Sequence, residues 1–162
     1  MTVPKFSKRQ KIKDIVFLQI ASELSQLSTC DRKSVGAVIT RQGRCVCWGF
    51  NGAPPGMPHC DENYHGHLWP GAKPNDLEAL DRQIEAQGCR NVTHAEANAL
   101  AFAARQGIST EGGTVYVTVS PCANCARLLV AAGVARVVYL EAYRDHTGIE
   151  LLREAGVQVE WA

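Results

Sequence analysis

The stretch that decides the fold is TVYVTVSPCANCARLLVAAG, which runs from Thr114 to Gly133. Residues 114–119 are rich in β-branched and aromatic side chains, which predicts a strand. The residues that follow repeat apolar side chains at helical spacing, which predicts a helix over 122–132 that ends at Gly133. Two thiols, those of Cys122 and Cys125, therefore open a helix shortly after a strand. A strand that leads into a helix is the unit from which α/β domains are built.

The rest of the chain alternates helices and strands around this unit. By apolar period, helices are predicted at 9–27, 94–105 and 148–155, with a short charged helix at 77–86. Strands are predicted at 35–39, 45–50, 136–140 and 157–161, the first two forming a hairpin around residues 41–43. Together they predict one α/β domain over residues 1–162, a three-layer α/β/α fold with a mixed five-stranded sheet.

Some side chains are predicted to be structural. In the first helix the apolar stripe consists of Ile12, Ile15, Val16, Ile20, Leu24 and Leu27. Cys45 and Cys47 alternate along a strand, so we expect both on one side as small core residues. The basic run from Lys5 to Lys13 is interpreted as the solvated start of the first helix, and His146 as a surface residue.

Composition narrows the classes of function. The net charge of +1 argues against a large nucleic-acid footprint, which needs clustered Lys and Arg. No apolar stretch approaches the roughly 20 residues that span a bilayer, and the N-terminus does not resemble a signal peptide. We therefore expect a cytoplasmic protein without membrane contact, in which the 7 cysteines are reduced. Reduced cysteines are often buried, metal-bound or catalytic.

Two short motifs predict a catalytic zinc site. Cys122 and Cys125 lie on one turn, and His94 opens another predicted helix. Three protein ligands leave the fourth position of a tetrahedral zinc open for water, which is typical of catalytic sites. Glu96 follows His94 by two positions, which turns it about 200° away on a helix, so we expect it to move protons rather than to bind the metal.

Each motif also has a structural interpretation. Thr93 and Glu96 match a capping box, and Ser120 with Pro121 matches an N-cap followed by proline at the first helical position. A Cys-x-x-Cys pair can also be a redox pair. The combination of both motifs, in this order along the chain, favours the zinc-dependent deaminase signature.

The whole pattern resembles the cytidine deaminase superfamily, and within it the deoxycytidylate (dCMP) deaminases. The resemblance covers nearly the whole chain, and the zinc motifs are its most specific part. Its carriers are Cys30 to Ile39, Gly49 to Pro54, His59 to Glu62, Thr93 to Ala99, Tyr116 to Thr118, Pro121 to Ala126 and Tyr143 to Asp145. It implies hydrolysis of dCMP to dUMP and ammonia by a zinc-activated water, which supplies dUMP for thymidylate synthesis.

The resemblance also implies ligand contacts and regulation. Asn51 is expected to contact the sugar, although Asn-Gly alone is also typical of a tight turn. Ser34, Lys33 and Tyr143 are expected near the sugar-phosphate end of the substrate. Family members are often hexameric homo-oligomers regulated by dCTP with Mg²⁺ and by dTTP, and we expect these partners here too.

A second, structural zinc is expected beside the loop predicted at residues 51–75. Some dCMP deaminases hold such an ion with cysteines that match Cys30 and Cys60. Cys89 and His65 would complete a closed tetrahedral site and staple the loop, with His59 as the alternative fourth ligand. Three inert cysteines with exposed histidines are the simpler interpretation.

Four other functions compete with dCMP deamination. The enzyme could act on another cytosine nucleotide or nucleoside, such as dCTP or cytidine, or on adenosine in tRNA. An editor of single-stranded polynucleotides would need a basic groove with interleaved aromatic residues, which this sequence lacks. A non-catalytic zinc-stabilised module would keep the three ligands and have no use for Glu96 as an acid.

Overall fold

The computed structural model describes residues 7–30, 32–57, 59–60 and 92–162. The helix predicted at 77–86 lies outside these residues. Within them the elements, in chain order, are α1 (Lys8–Ser25), β1 (Gly36–Arg41), β2 (Arg44–Phe50), α2 (Ala95–Arg105), β3 (Thr114–Val119), α3 (Ala123–Ala131), β4 (Arg136–Glu141), α4 (Thr147–Glu154) and β5 (Gln158–Trp161).

The strands form one mixed five-stranded sheet in the order β2-β1-β3-β4-β5. β1 pairs antiparallel with β2 and with β3, whereas the β3–β4 and β4–β5 pairs are parallel. Parallel neighbours need a crossover, and α3 and α4 are those crossovers. The predicted fold class is confirmed, including the mixed pairing.

Helices cover both faces of the sheet. Val38 points toward α1 and packs in a cluster with Leu18 and Tyr116. Its neighbours Ala37 and Ile39 pack in the larger cluster on the opposite face, which contains apolar side chains of α2, α3 and α4. Because successive strand residues alternate sides, one strand serves both clusters and the fold has three layers.

The stripe predicted for the first helix faces outward, apart from Leu24, which packs partly buried against the α1-side cluster. Ile12, Ile15, Val16 and Ile20 are between 39% and 57% exposed, and Leu27 beyond the helix is 52% exposed. The residues that α1 buries are Leu18 and Ala21, with Phe17 packed beside them. α1 is apolar on two sides, so the period identified the helix but not the side that contacts the sheet.

A β-bulge corrects the prediction that Cys45 and Cys47 share the core. Cys47 pairs with Ile39, but Cys45 pairs with the next residue, Thr40, so Val46 is an extra residue in β2. An inserted residue moves the side chains on its two sides to opposite faces. Cys47 is buried and Cys45 is exposed.

The turn between β1 and β2 consists of Gln42 and Gly43, with φ of 51° and 73°. Two consecutive positive φ values are typical of a type I′ turn. The twist of such a turn matches the right-handed twist of the two strands that it joins. The predicted hairpin is therefore confirmed.

A buried ionic network attaches α1 to the far end of the sheet. The guanidinium of Arg136 on β4 donates two hydrogen bonds to Asp14, at 2.7 and 2.9 Å, and two to Glu160 on β5. Tyr116 and Gln10 also donate to Asp14. Burial alone would raise the pKa of Asp14, but these hydrogen bonds outweigh it and hold the pKa below its usual value.

Candidate metal centre and active site

His94 and Cys122, the first residues of the two motifs, lie just before the helices that follow them. His94 is the N-cap of α2 and Cys122 is the N-cap of α3, and neither side chain makes a capping hydrogen bond. Both were predicted inside the first turn. Thr93 is therefore not the N-cap, since it pairs with Gly52 in an isolated bridge, and Pro121 precedes the N-cap instead of following one.

The fold brings the three predicted ligands together from two helices. His94 Nδ1 lies 3.5 Å from the Sγ atoms of both Cys122 and Cys125. Zinc bonds of about 2.1 Å to nitrogen and 2.3 Å to sulfur at a tetrahedral angle separate the two ligand atoms by about 3.6 Å. Within the described residues, His94, Cys122 and Cys125 form a group whose ligand atoms all lie within 4.8 Å of one another, close enough to bind one metal ion. The donor set therefore fits zinc.

Ionisation of the cluster also suits a metal. Hydrogen bonds from Cys125 and His94 lower the pKa of Cys122 to about 3, against the opposing effect of burial. The pKa of His94 is raised, chiefly by its hydrogen bond to Cys122. The pKa of Cys125 is raised by its hydrogen bond to Cys122 and by burial. Cys122 is thus the first thiolate of the group, and the thiolate is the form that binds zinc.

Glu96 lies in the first turn of α2 and is almost fully buried, with 3% of its surface exposed. Burial raises the pKa of its carboxyl group. A hydrogen bond with Cys125 and the charge of His94 act in the opposite direction. A buried carboxyl with a raised pKa beside a metal-ligand cluster has the properties of a general acid and base.

A cavity of about 510 Å³ opens onto this cluster. That volume lies in the range of small-molecule sites. Its lining joins the cluster to the segments after α1, β2, β3 and β4, and it includes His94, Glu96 and Cys122. The cavity therefore gives a ligand simultaneous access to the three motif side chains and to the ends of the central strands.

Three of the four predicted substrate contacts line this cavity, namely Lys33, Asn51 and Tyr143. Ser34 is exposed and is not among the described lining residues. The buried amide of Asn51 accepts a hydrogen bond from the Val35 amide and donates one to the Lys33 carbonyl, both at 2.7 Å. The side chain of Asn51 thus binds the main chain of two residues, Lys33 and Val35, that line the cavity.

Arg32 was grouped with Lys33 as a candidate phosphate-binding pair from the sequence, and Arg144 was assigned no contact. Both arginines are exposed and line the cavity. Arg144 lies 5.7 Å from the ring centroid of Tyr143. Lys33 forms an ion pair with Glu141. Arg32 is adjacent to Lys33, and Arg144 is adjacent to Tyr143. Lys33 and Tyr143 were predicted substrate contacts, so this adjacency is the feature of the sequence that marks the two arginines.

The predicted second zinc site lies only partly within the described residues. Cys30 is half-buried and lines the cavity, Cys60 is buried, and His59 Nδ1 lies 3.0 Å from the hydroxyl of Thr29. His65 and Cys89 lie outside the described residues, so this site stays a prediction.

None of the helices that the structure describes has both the length and the apolar character needed to cross a membrane.

The fold has three α/β/α layers around a mixed sheet, and one His, two Cys and a buried Glu lie together at its cavity. This set of side chains is typical of zinc-dependent deaminases. The family described as the cytidine and deoxycytidylate deaminase zinc-binding region matches residues 11–141. The chain therefore belongs to the cytidine and deoxycytidylate deaminase family, a family of zinc-binding hydrolases that act on carbon–nitrogen bonds.

Known proteins with similar sequences and structures agree with this assignment. The deoxycytidylate deaminase of Enterobacteria phage T2 is 38% identical to this chain, and the match covers 88% of each of the two chains. ComE operon protein 2 of Bacillus subtilis is 35% identical over 89% of this chain and 68% of its own length. The crystal structure of dCMP deaminase from the cyanophage S-TIM5 with dCMP and dUMP has a TM-score of 0.74 and 30% identity, covering 97% of this chain and 99% of that one.

Proposed function

We propose that this chain hydrolyses dCMP to dUMP and ammonia and so supplies dUMP for thymidylate synthesis. The observation that carries the proposal is the His94, Cys122 and Cys125 cluster beside buried Glu96, in a cavity that also has exposed cations. Relatives named deoxycytidylate deaminase, and the dCMP and dUMP complex of a similar structure, support this choice of substrate. Residues 1–162 are proposed to act as one deaminase unit.

His94, Cys122 and Cys125 are the proposed zinc ligands. When zinc is bound there, it supplies a water molecule whose pKa is lowered toward neutrality. The two thiolates come from one helix start and the imidazole from another, so the centre depends on the packing of α2 against α3.

Glu96 is the proposed catalytic residue. Replacement of an amine by water at C4 of cytosine requires removal of a proton from water, protonation of N3 and protonation of the departing ammonia. One carboxyl group can perform these transfers in turn. It accepts a proton from water and donates it to N3, and it then accepts the second proton from the hydroxyl group on C4 and donates it to the departing ammonia. The burial of Glu96 supports this role, since burial raises the pKa of the carboxyl group and so favours the protonated form that a donor needs.

The other end of the substrate is proposed to lie against the exposed cations. Arg32, Lys33 and Arg144 line the cavity, and a 5′-phosphate is the part of dCMP that would favour them. Asn51 is proposed to contact the sugar, since each polar atom of an amide can make a second hydrogen bond. Tyr143 and Ser34 complete the proposed contacts.

Three further proposals rest on the family. We propose a structural zinc held by Cys30, Cys60, Cys89 and His65, with His59 as the alternative ligand. We propose a cytoplasmic homo-oligomer, with a hexamer as the expected size, and the exposed apolar side chains of α1 support assembly. Regulation by dCTP with Mg²⁺ and by dTTP is proposed on the resemblance alone.

A substrate panel tests the main proposal. Ammonia release is measured with cytidine, CMP, dCMP and dCTP, each with and without dCTP or dTTP as effector. We expect the highest kcat/KM for dCMP. Equal activity on cytidine would instead identify a nucleoside deaminase, and no ammonia from any of the four would contradict a cytosine deaminase.

A charge variant tests the phosphate contacts separately. Joint replacement of Arg32 and Lys33 by Gln should lower kcat/KM for dCMP and leave any activity on cytidine intact, because cytidine has no phosphate. Arg153→Gln, an exposed cation on α4, is the matched control.

A further inference from the structure

Gly148 lies where the first turn of α4 meets the loop that carries Cys122. A Cβ atom at Gly148 would lie 2.0 Å from the main-chain oxygen of Pro121 and 2.8 Å from the main-chain carbon of Cys122. Real Cβ atoms essentially never come within 3.0 Å of such atoms. The two backbones are therefore in direct contact, and only a residue without a side chain fits between them.

The conformation of Gly148 does not require glycine. The residue is helical, and it is not one of the glycines with positive φ in the described chain. Glycine is a less favourable helical residue than alanine. The close approach to Pro121 and Cys122 supplies the physical reason for glycine at this position.

The segment that leads into α4 is hydrogen-bonded to the loop before Cys122, since the Tyr143 amide donates to the Ser120 hydroxyl at 2.8 Å. Asp145 Oδ1 accepts hydrogen bonds from the Thr147 amide at 2.9 Å and from its hydroxyl at 2.6 Å. One turn on, Ile149 is buried in the same core cluster as Leu129 of α3. Local hydrogen bonds thus order the start of α4, and its apolar side packs in the core, where Gly148 contacts the backbone of Pro121 and Cys122.

The placement of the Cys122 thiol depends on this contact. Cys122 has an extended backbone, with ψ of 169°, and its side chain makes no capping bond that would orient it. Its Sγ nevertheless lies 3.5 Å from His94 Nδ1, the separation that a shared tetrahedral ion requires. A main-chain shift at residues 121–122 would change that separation directly.

We propose that Gly148 is a positioning residue of the metal centre, and that Asp145 holds it in place. The inference rests on the proposed function, because it takes Cys122 as a zinc ligand. Asp145 belongs to the Tyr143 to Asp145 segment that carried part of the family resemblance, and this role gives the segment a physical purpose at the metal centre.

The test compares Gly148→Ala with Gly113→Ala in the zinc-loaded protein. Gly113 is buried, and a Cβ there would lie 2.7 Å from the Thr110 carbonyl oxygen, but it precedes β3 at the end away from the cavity. Zinc affinity is measured by competition with a chromophoric chelator, and thermal stability by circular dichroism. We expect zinc affinity to fall about tenfold or more in Gly148→Ala, as for other residues that orient ligands, and to stay unchanged in Gly113→Ala although its Tm falls.

A second variant keeps the test decisive if Gly148→Ala does not fold. Asp145→Ala changes an exposed side chain and adds no atoms to the contact. It should weaken zinc binding in the same direction with little loss of helix content. Zinc affinity equal to that of the parent in both variants, or a loss in Gly148→Ala no greater than in Gly113→Ala, overturns the inference. A parent protein that binds no zinc overturns the proposed function as well, whereas a parent that binds zinc and deaminates dCMP leaves the variants to decide this inference alone.

Discussion

The side chain of Asn51 joins two main-chain groups on the cavity wall, since it accepts from Val35 N and donates to Lys33 O. It therefore fixes the segment that presents Lys33 to the cavity. Any contact that Asn51 makes with a sugar is added to this structural role.

Asn51→Ala should lower both stability and substrate affinity. The variant leaves the Val35 amide and the Lys33 carbonyl without their partner, and an unsatisfied buried polar group costs about 1–3 kcal/mol. We expect a lower Tm and a higher KM for dCMP, measured by calorimetry and steady-state kinetics. Asn51→Asp is the informative comparison, because it can still accept from Val35 but cannot donate to Lys33. An unchanged KM in both variants would show that the wall does not depend on Asn51.

Glu96→Gln should retain zinc and lose turnover. Glutamine has the shape of glutamate but cannot transfer protons, and a positioned general acid or base contributes about 10²–10⁴-fold to the rate. The fall in kcat is measured from the absorbance change as dCMP becomes dUMP, with zinc content determined on the same sample. Glu154→Gln, an exposed residue of α4, is the control. Substantial remaining activity would remove Glu96 from the mechanism.

Metal analysis should find two zinc ions per chain, one at each proposed centre. Cys60→Ser is expected to reduce the content to one ion while activity on dCMP persists, because Cys60 belongs to the proposed structural site and not to the proposed catalytic one. Cys125→Ser should also leave one ion but abolish activity. Dialysis against a strong chelator should inactivate the parent, and added zinc should restore it. A parent with a single ion would leave only the catalytic centre.

Acid should weaken the Asp14–Arg136 contact specifically. The pKa of Asp14 is lower in the folded protein than in the unfolded chain, where it is about 3.9. A lowered pKa stabilises the fold above the unfolded value, and this contribution disappears as the pH falls through the folded value. Asp14→Asn should therefore reduce the free energy of unfolding at pH 7 by about 1–3 kcal/mol. The difference from the parent should shrink below about pH 4. Denaturant titrations at several pH values measure it, and a constant difference would contradict this account.

The outward side of α1 should mediate assembly. Ile15 is 57% exposed, so Ile15→Glu costs the single chain little but would place a charge in any interface there. We expect a smaller particle by light scattering and an unchanged content of secondary structure. Gln106→Glu adds the same charge at an exposed polar residue outside α1 and is the matched control. A monomeric parent would contradict assembly altogether.

Local chemistry made the elements predictable. Strand β3 has the bounds predicted from its β-branched residues, and Gly107 and Gly133 have φ of 65° and 72° just past their helices, as a C′ glycine does. The three side chains that the fold groups together were also readable, because the Cys-x-x-Cys and His-x-Glu spacings are themselves local.

Sidedness and long-range contacts were not readable. The period of α1 does not reveal that Leu18 points inward while Ile15 points outward, because both sides are apolar. The bulge at Val46 depends on the pairing of β2 with β1, and no local signal marks it. Lys33 and Glu141 meet across 108 positions, which only the assembled sheet brings together. The cavity is lined by segments that lie far apart in the sequence. The cations of its lining could therefore be inferred only from their position next to predicted substrate contacts.

The hairpin turn at Gln42 and Gly43 has a practical consequence for work with this enzyme. β1 runs away from Val35 and β2 returns to Asn51, so the turn lies at the opposite end of the hairpin from the active cavity. Both turn residues are exposed, and exposed loop tips accept foreign sequence best. An epitope tag or a fluorescent reporter can therefore be inserted between these two residues, at a distance from the catalytic chemistry.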